Sequence, residues 1–378
     1  MQVPGFGPAH REPSSLLSPE SNPVLPLAYW LVLTPIALVL VGVGGFLFYI
    51  WWRYCSIIVR IFEETPVFAP LRTAPDDSAE DVRFNTPDGL TLIGSYLRRH
   101  TQGRAGVIVF SHEYLGDRWS ACAYLDGLRE VGFDIFTFDF RNHGDSQVDP
   151  SYNPLQWVSD LEITDLRAAL DYLRSRPDAD PAGVALFGVS RGGGTSLVQA
   201  ALEPSVWAVA TDGAFPTRGT MLAYVIRWAS IPIRNQFMLK FMPRGVYVFA
   251  AWIGRVSSEW RRGRRYPNLE RAMPRIAPRP WLLIHGERDV YISPEIARDL
   301  YSHAGDGKQA WFVPKAKHNR AREMSPERYA QRLIDFFTHS APRRLDRMES
   351  SPIQEVLDTG SRCEPIGADH SKAGVAVG

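Results

Sequence analysis

Gly188-Val189-Ser190-Arg191-Gly192 is the stretch whose residue types and spacing point to chemistry. Before it, Val184-Ala185-Leu186-Phe187 is a short apolar run of strand type; after it, Gly193, Gly194, Ser196, Leu197 and Val198 lead into an Ala/Leu-rich segment that reads as a helix. A Gly-x-Ser-x-Gly set between strand and helix is a nucleophile-elbow arrangement. Gly188 and Gly192 suit it because flanking residues pass so close to the turn that a side chain there would clash. The turn pushes the Ser190 hydroxyl out at the carboxyl edge of a sheet, beside a helix amino end that favours developing negative charge. A serine hydroxyl is too weakly acidic to attack an ester carbonyl at neutral pH, so a base must take its proton. A glycine-rich turn with an incidental serine would read the same in isolation, and the surrounding elements decide.

The chain has 378 residues, 45% apolar and 22% charged, which suits one large folded domain with attachments rather than a disordered or collagen-like polymer. A net charge of +1 gives no pull toward nucleic acid. Cys55, Cys122 and Cys363 are too few for a disulfide framework and none has a partner at metal-ligand spacing. His143 and Asp145 lack a third ligand at sensible spacing, and there is no phosphate-binding loop, so neither a metal nor an organic cofactor is expected.

Residues 1–23, rich in Pro, Ser and Gly, read as a flexible terminus. Residues 24–52 carry no charge and exceed the ~20 residues needed to cross a bilayer as a helix. Tyr29 and Trp30 at one end and Tyr49, Trp51 and Trp52 at the other supply interfacial belts. A single uncleaved span through the lipid bilayer is therefore predicted, because Trp52-Arg53-Tyr54-Cys55 is no small-residue cleavage site. Arg53, Arg60 and Arg72 follow the span and only Arg11 precedes it, which favours a cytoplasmic carboxyl-terminal domain. Cys55, just past the span, has the position of an S-acylation site, although a lone juxtamembrane cysteine is commonly unmodified.

A linker is expected over residues 53–80. Val82-Arg83-Phe84, the turn Thr86-Pro87-Asp88-Gly89 and the run Leu90 to Leu97 then read as a hairpin. Apolar runs alternate with helical segments from Gly106 onward, including a helix predicted from Leu155 to Leu173, so a mostly parallel sheet covered on both faces follows. An insertion of about 216–278 separates two of the later strands, and residues 341–378 lose hydrophobic periodicity and read as disordered.

This order of signals resembles the α/β-hydrolase superfamily over about residues 81–340. Phe138-Asp139-Phe140-Arg141-Asn142-His143-Gly144-Asp145-Ser146 is similar to the D-x-R-G-x-G-x-S segment of such hydrolases, with Asn142 in place of one glycine, and Arg141 is expected to brace loops. The resemblance implies an acid in the loop after a late strand and a histidine after the last. Trp281 to Ile284 supplies that strand with Asp289 following, and Gln309 to Val313 supplies the last, with His318 following. The implied triad is Ser190 as nucleophile, His318 as general base and acid, and Asp289 to orient the imidazole. Asp212, in Thr211-Asp212-Gly213-Ala214-Phe215-Pro216, is the alternative acid; His303 lies within a presumed helix, and Glu287 reads as a solvated loop residue.

Where families of this fold often carry His-Gly-x-x-Gly, this chain has His112-Glu113-Tyr114-Leu115-Gly116. The matching oxyanion-hole donors are the backbone N–H groups of Tyr114 and Arg191. A carboxylate aimed into that hole would oppose an oxyanion, so Glu113 is expected to point away, toward a basic residue, and His112 to be a hydrogen-bonded loop histidine. The insertion is read as a helical cap, with Arg227, Arg234, Lys240, Arg244, Arg255, Arg261, Arg262, Arg264 and Arg265 against only Glu259 and Glu270. The plan of span, linker, hairpin and core is similar to membrane-anchored members of the superfamily, including the Bem46-like group. It implies a serine hydrolase of acyl esters, thioesters or lipids; a peptidase with the same triad, or a non-catalytic scaffold binding a partner or anionic lipid through the basic cap, are the alternatives.

Overall fold

The computed structural model describes residues 27–64, 69–125, 127–231, 233 and 236–342. The terminus expected over residues 1–23, the tail beyond residue 342, Arg234 and Cys363 lie outside the described residues. Contacts divide the chain into two units, residues 1–52 and 53–378.

In the first unit the described residues belong to helix α1 (Leu27–Glu63), which begins there and ends in the second unit. Its stretch Tyr29–Glu63 has a window of mean hydropathy 2.5 and is long and apolar enough to cross a membrane. The helix does not stop where the charge-free run ends. Residues 53–63, expected in the linker, are its last turns, because Ile58, Val59 and Phe62 find an apolar surface within the second unit and are buried there.

The second unit is built on one eight-stranded sheet: β1 (Glu80–Asn85), β2 (Thr91–Leu97), β3 (Gly106–Ser111), β4 (Phe133–Phe138), β5 (Val184–Val189), β6 (Val206–Asp212), β7 (Trp281–Gly286) and β8 (Lys308–Val313). The spatial order is β1-β2-β4-β3-β5-β6-β7-β8, with β1 and β2 antiparallel to their neighbours and the remaining strands parallel. Between and after the strands lie α2 (Ser120–Tyr124), α3 (Asp160–Ser175), α4 (Arg191–Leu202), α5 (Thr217–Trp228), α6 (Gln236–Phe241), α7 (Arg244–Arg262), α8 (Leu269–Ala272), α9 (Pro294–Ser302), α10 (Ala321–Met324) and α11 (Pro326–Ser340).

Strand alternation sorts the core into two layers. Val107, Val109, Leu186, Val209 and Leu283 join α3 and α4 through Leu166, Leu170 and Leu197. Ile108, Phe110, Phe187, Ala208 and Ile284 face the other way, onto Tyr329, Leu333 and Phe337 of α11. Successive side chains of a strand point to opposite faces, so nearly continuous apolar runs are what a sheet covered on both sides requires.

A further element boundary differs from expectation. The helix predicted from Leu155 begins at Asp160, because Ser159 accepts from the Leu161 N–H at 3.2 Å while Glu162 reaches back to the Ser159 N–H at 2.8 Å, a capping box that fixes the start. Between β3 and β4 the chain forms the short helix α2 and a separate 3₁₀ turn, Arg129–Val131. The insertion expected at about 216–278 corresponds to α5 through α8, between β6 and β7.

Candidate active site

Ser190 sits where β5 ends and α4 begins, with φ 53° and ψ −116°. This left-handed backbone is unfavourable for a residue with a Cβ, and it persists because the surroundings over-determine it. The Ser190 N–H donates to Asp212 O at 2.7 Å and the Gly194 N–H to Ser190 O at 3.1 Å. A Cβ on Gly188 would lie 2.3 Å from Gly192 O, and one on Gly192 would lie 2.1 Å from Ser111 O. Both obstacles are backbone, so neither yields by a rotamer change. Gly192→Ala is therefore expected to cost more than the ~0.5–3 kcal/mol of ordinary point mutations. Thermal denaturation should show a marked fall in Tm or no folded protein.

Ser190 Oγ is 2.9 Å from His318 Nε2, and His318 Nδ1 is 2.6 Å from Asp289 Oδ2. The other oxygen, Asp289 Oδ1, accepts from the backbone N–H groups of Tyr291 at 2.9 Å and Ile292 at 2.8 Å. The carboxylate is thus fixed by its own loop and presents its free oxygen to the imidazole. A carboxylate on Nδ1 keeps the proton there, which leaves Nε2 as an acceptor for the serine O–H. His285, 3.6 Å from Asp289 Oδ2, donates from Nε2 to Ile292 O at 3.0 Å. Burial pushes its pKa down, against the pull of Asp289, so it presents a neutral ring to that carboxylate.

Asp212 is placed elsewhere: its Oδ2 accepts from Tyr329 OH at 3.0 Å, and Asp289 occupies the Nδ1 side of His318. His303 is an exposed residue at the end of α9, hydrogen-bonded to Asp299 O, and Glu287 is exposed.

The segment after β3 brings Tyr114 next to the elbow. Among the described residues neither the Tyr114 nor the Arg191 backbone N–H donates to a protein acceptor. Arg191 lies in the first turn of α4, where such N–H groups are orphaned by geometry. Its side chain turns inward and is buried: the guanidinium meets Leu155 O at 3.1 Å, Glu162 Oε1 at 3.4 Å and His143 Nε2 at 3.1 Å, and lies 5.3 Å from the Tyr114 ring centroid. Burial pushes the Glu162 carboxyl up, but Arg191 together with hydrogen bonds from Ser159 and Tyr152 outweighs it and holds the pKa below its ordinary value. One ionised pair therefore ties the elbow, the capping box of α3 and the Tyr114 ring together.

Glu113 corrects one expectation. It does turn inward rather than to solvent, yet no basic residue receives it: Oε1 accepts from the Leu71 N–H at 3.0 Å, and Oε2 is buried without a donor among the described residues. Burial raises its pKa to about 7, and raises that of Asp212 to about 7 as well. The physical reason is that the ionised form has one backbone donor and no cation to replace its water. A raised folded-state pKa means that stability is fully present below the ordinary value of 4.5 and declines as pH rises toward 7. Glu113→Gln should accordingly raise Tm relative to the natural chain at pH 8, by the equivalent of about 3 kcal/mol, and the gain should vanish near pH 4.5.

Of the remaining residues singled out in the sequence, His112 is a buried hydrogen-bonded histidine, with Nδ1 2.7 Å from Glu113 O and Nε2 accepting from the Phe140 N–H at 3.1 Å. Arg141 is buried between Asp165 and Asp88, bonded at 2.6 Å and 2.7 Å, as a brace between loops.

Residues 108–332, more than half of the chain, match the alpha/beta hydrolase family. The chain belongs to that family. The YfhR protein of Escherichia coli (strain K12) is 27% identical over 265 residues, covering 68% of this chain and 80% of YfhR. The thiohydrolase aneE of Aspergillus aculeatus is 30% identical over 132 residues, 33% of this chain and 38% of aneE. Among solved structures, the Pyrococcus furiosus esterase Pf2001 superimposes with a TM-score of 0.53 at 20% identity, covering 74% of this chain and all of the esterase, a likeness of fold.

In this alpha/beta hydrolase the serine opens into a cavity of about 40 Å³ lined by Tyr114, Trp157, Phe215, Tyr224, Tyr291 and His318 among others. That is far below the ~300–1,000 Å³ of pockets enclosing drug-sized ligands, so the cavity as it stands admits a group of only a few atoms. Sequence reasoning missed most of this wall. Tyr291 had a signal, since it follows Asp289 by two residues in an Asx-type turn that both aims the acid and places a ring. Trp157 had none. Its Nε1–H donates to Phe62 O at 2.8 Å, so the last turn of α1 holds one side of the cavity.

Proposed function

We propose that this chain is a membrane-anchored serine hydrolase that cleaves carboxylic ester or thioester bonds through an acyl-enzyme. The observation that carries the reading is the unbroken run Ser190 Oγ, His318 Nε2, His318 Nδ1, Asp289 Oδ2, with steps of 2.9 Å and 2.6 Å. His318 takes the serine proton as Oγ attacks the acyl carbon, and the Tyr114 and Arg191 N–H groups receive the oxyanion. One such donor is worth about 2.7–4 kcal/mol in a transition state. His318 then protonates the leaving alcohol or thiol, and water, activated by the same imidazole, releases the acid. Asp289 holds the ring in its tautomer and stabilises the imidazolium. The esterase and thiohydrolase names carried by Pf2001 and aneE support ester and thioester substrates.

In this reading residues 24–52 are the bilayer anchor, residues 81–340 the catalytic domain and about 216–278 its cap, the plan of the Bem46-like group. Residues 27–52 of α1 measure roughly 39 Å at 1.5 Å per residue, against a hydrocarbon core of ~30 Å. Arg53, Arg60 and Arg72 favour a cytoplasmic catalytic domain. The test is a panel of short acyl p-nitrophenyl esters, acyl thioesters and peptide amides presented to the full chain in detergent. Turnover of esters or thioesters supports the reading; cleavage of the amides alone makes the chain a peptidase, and a folded protein that turns over none of them contradicts catalysis.

A further inference from the structure

Helix α7 is apolar on two faces. Ala250, Gly254 and Ser258 form a buried face, where a Cβ on Gly254 would lie 2.4 Å from Ile58 Cγ2 and 2.5 Å from the Phe62 ring. Val248, Trp252, Val256 and Trp260, spaced every fourth residue, form a second stripe that is exposed, with Trp260 at 85%. At about 100° per residue the two stripes are some 200° apart, so packing of the first leaves the second uncovered. Apolar side chains of the two preceding helices are exposed as well: Phe237 (72% exposed) and Phe241 of α6, in contact at 4.6 Å between centroids, and Ile226 and Trp228 of α5. A soluble surface rarely shows so many aromatic rings together.

Charge identifies the occupant. Lys240 and Arg244, which lie in sequence between Phe237 and Trp252, are exposed, the Lys240 ammonium 5.9 Å from the Phe241 ring centroid. The acids of the cap are engaged elsewhere: Glu259 with Arg255 at 2.6 Å, and Glu270 accepting from the Gly219 N–H at 3.2 Å. Tryptophan, phenylalanine and cations on one helical surface suit the boundary between anionic headgroups and acyl chains. The chain also tethers this surface. The turns of α1 that follow its charge-free run are the ones fastened to the buried face of α7, through Ile58 and Phe62 and through Glu63, which accepts from Ser258 Oγ at 2.8 Å.

Tyr224 lines the cavity beside Ser190, and Trp228, one turn further along the same side of α5, is exposed.

We infer that the outer face of α5, α6 and α7 is a docking surface for an anionic lipid bilayer, through which the serine receives an ester dissolved in the membrane rather than one from water. The substrate class is then an amphiphilic ester with a small acyl group, since the cavity holds few atoms while the remainder of the molecule lies along the apolar cap. This rests on the hydrolase reading proposed above.

The full chain in nanodiscs containing anionic lipid tests it. The triple variant Phe237→Asp, Phe241→Asp, Trp252→Asp alters none of the residues lining the cavity. Its rate on a water-soluble short acyl ester should stay within about twofold of the natural chain, while its rate on a bilayer-resident ester with a long apolar alcohol should fall at least tenfold. An unchanged ratio of the two rates would overturn the inference. A second measurement stands apart from folding of that variant: an environment-sensitive fluorophore at Phe241→Cys, with the native cysteines replaced by serine. Quenching by doxyl-labelled lipid supports docking; quenching by aqueous iodide alone, or cross-linking between copies through this position, overturns it. If the natural chain hydrolyses no ester at all, the hydrolase reading fails, and the fluorophore still decides whether the cap meets the membrane.

Discussion

Ser190→Ala is expected to lower kcat/KM on an ester by roughly 10⁴–10⁶-fold, with little change in Tm. The size follows from the role. Only the hydroxyl oxygen is removed, the elbow backbone is unaltered, and the glycines that permit its φ of 53° remain. Without Oγ no acyl-enzyme forms, and the residual rate is what the Tyr114 and Arg191 N–H groups and substrate binding give to attack by water. His318→Ala should cost a similar factor, and the double variant little more than either alone, because the two act as one unit. Initial-rate kinetics on purified variants, normalised to folded protein, check all three.

Asp289→Asn should lower kcat by about 10⁴-fold, whereas Asp212→Asn should lower it by less than about tenfold. Both acids lie near His318, and the sequence favours Asp289 with Asp212 as the alternative. The geometry separates them. Asp289 Oδ2 is 2.6 Å from His318 Nδ1, so an amide there forces the ring toward the wrong tautomer and puts a proton on Nε2, where the serine must donate. Asp212 is hydrogen-bonded to Tyr329 OH at 3.0 Å, and burial raises its pKa to about 7. Reversed effects, a large loss at Asp212 and a small one at Asp289, would mean that the loop after β7 rearranges when substrate binds.

The elbow was legible because its requirement is local. Glycines at 188 and 192 are demanded by backbone atoms of Gly192 and Ser111 lying within 2.3 Å of where a Cβ would stand, and no long-range packing alters that. The sheet was legible because burial on both faces leaves apolar runs such as Val184 to Phe187 that need no knowledge of the neighbours. The remainder depends on contacts between distant segments. Arg191 reads in sequence as a variable position of a pentapeptide, and only the folded chain brings its guanidinium to Glu162 and over Tyr114. Glu113 suggested a basic partner on charge grounds, but it is buried with the Leu71 N–H on one oxygen, and burial raises its pKa instead. The continuation of α1 to Glu63 was hidden for a related reason. Residues 53–63 carry charges, which ended the apolar run, yet Ile58, Val59 and Phe62 repeat on one side and are buried, Ile58 and Phe62 beside Gly254 of α7.

Trp157 is held by Phe62 O, packs edge-on to Phe62 at 6.4 Å and touches Phe215 and Tyr224 at 5.9 Å between centroids. The last turn of α1 therefore helps to shape the cavity beside Ser190.

If Ser190 is an activated nucleophile, a fluorophosphonate probe should label the full-length protein at that residue. Stoichiometric labelling of the natural chain is expected, with none of Ser190→Ala and strongly slowed labelling of His318→Ala and Asp289→Asn. A folded natural chain that stays unlabelled, or labelling that persists in Ser190→Ala, would contradict it.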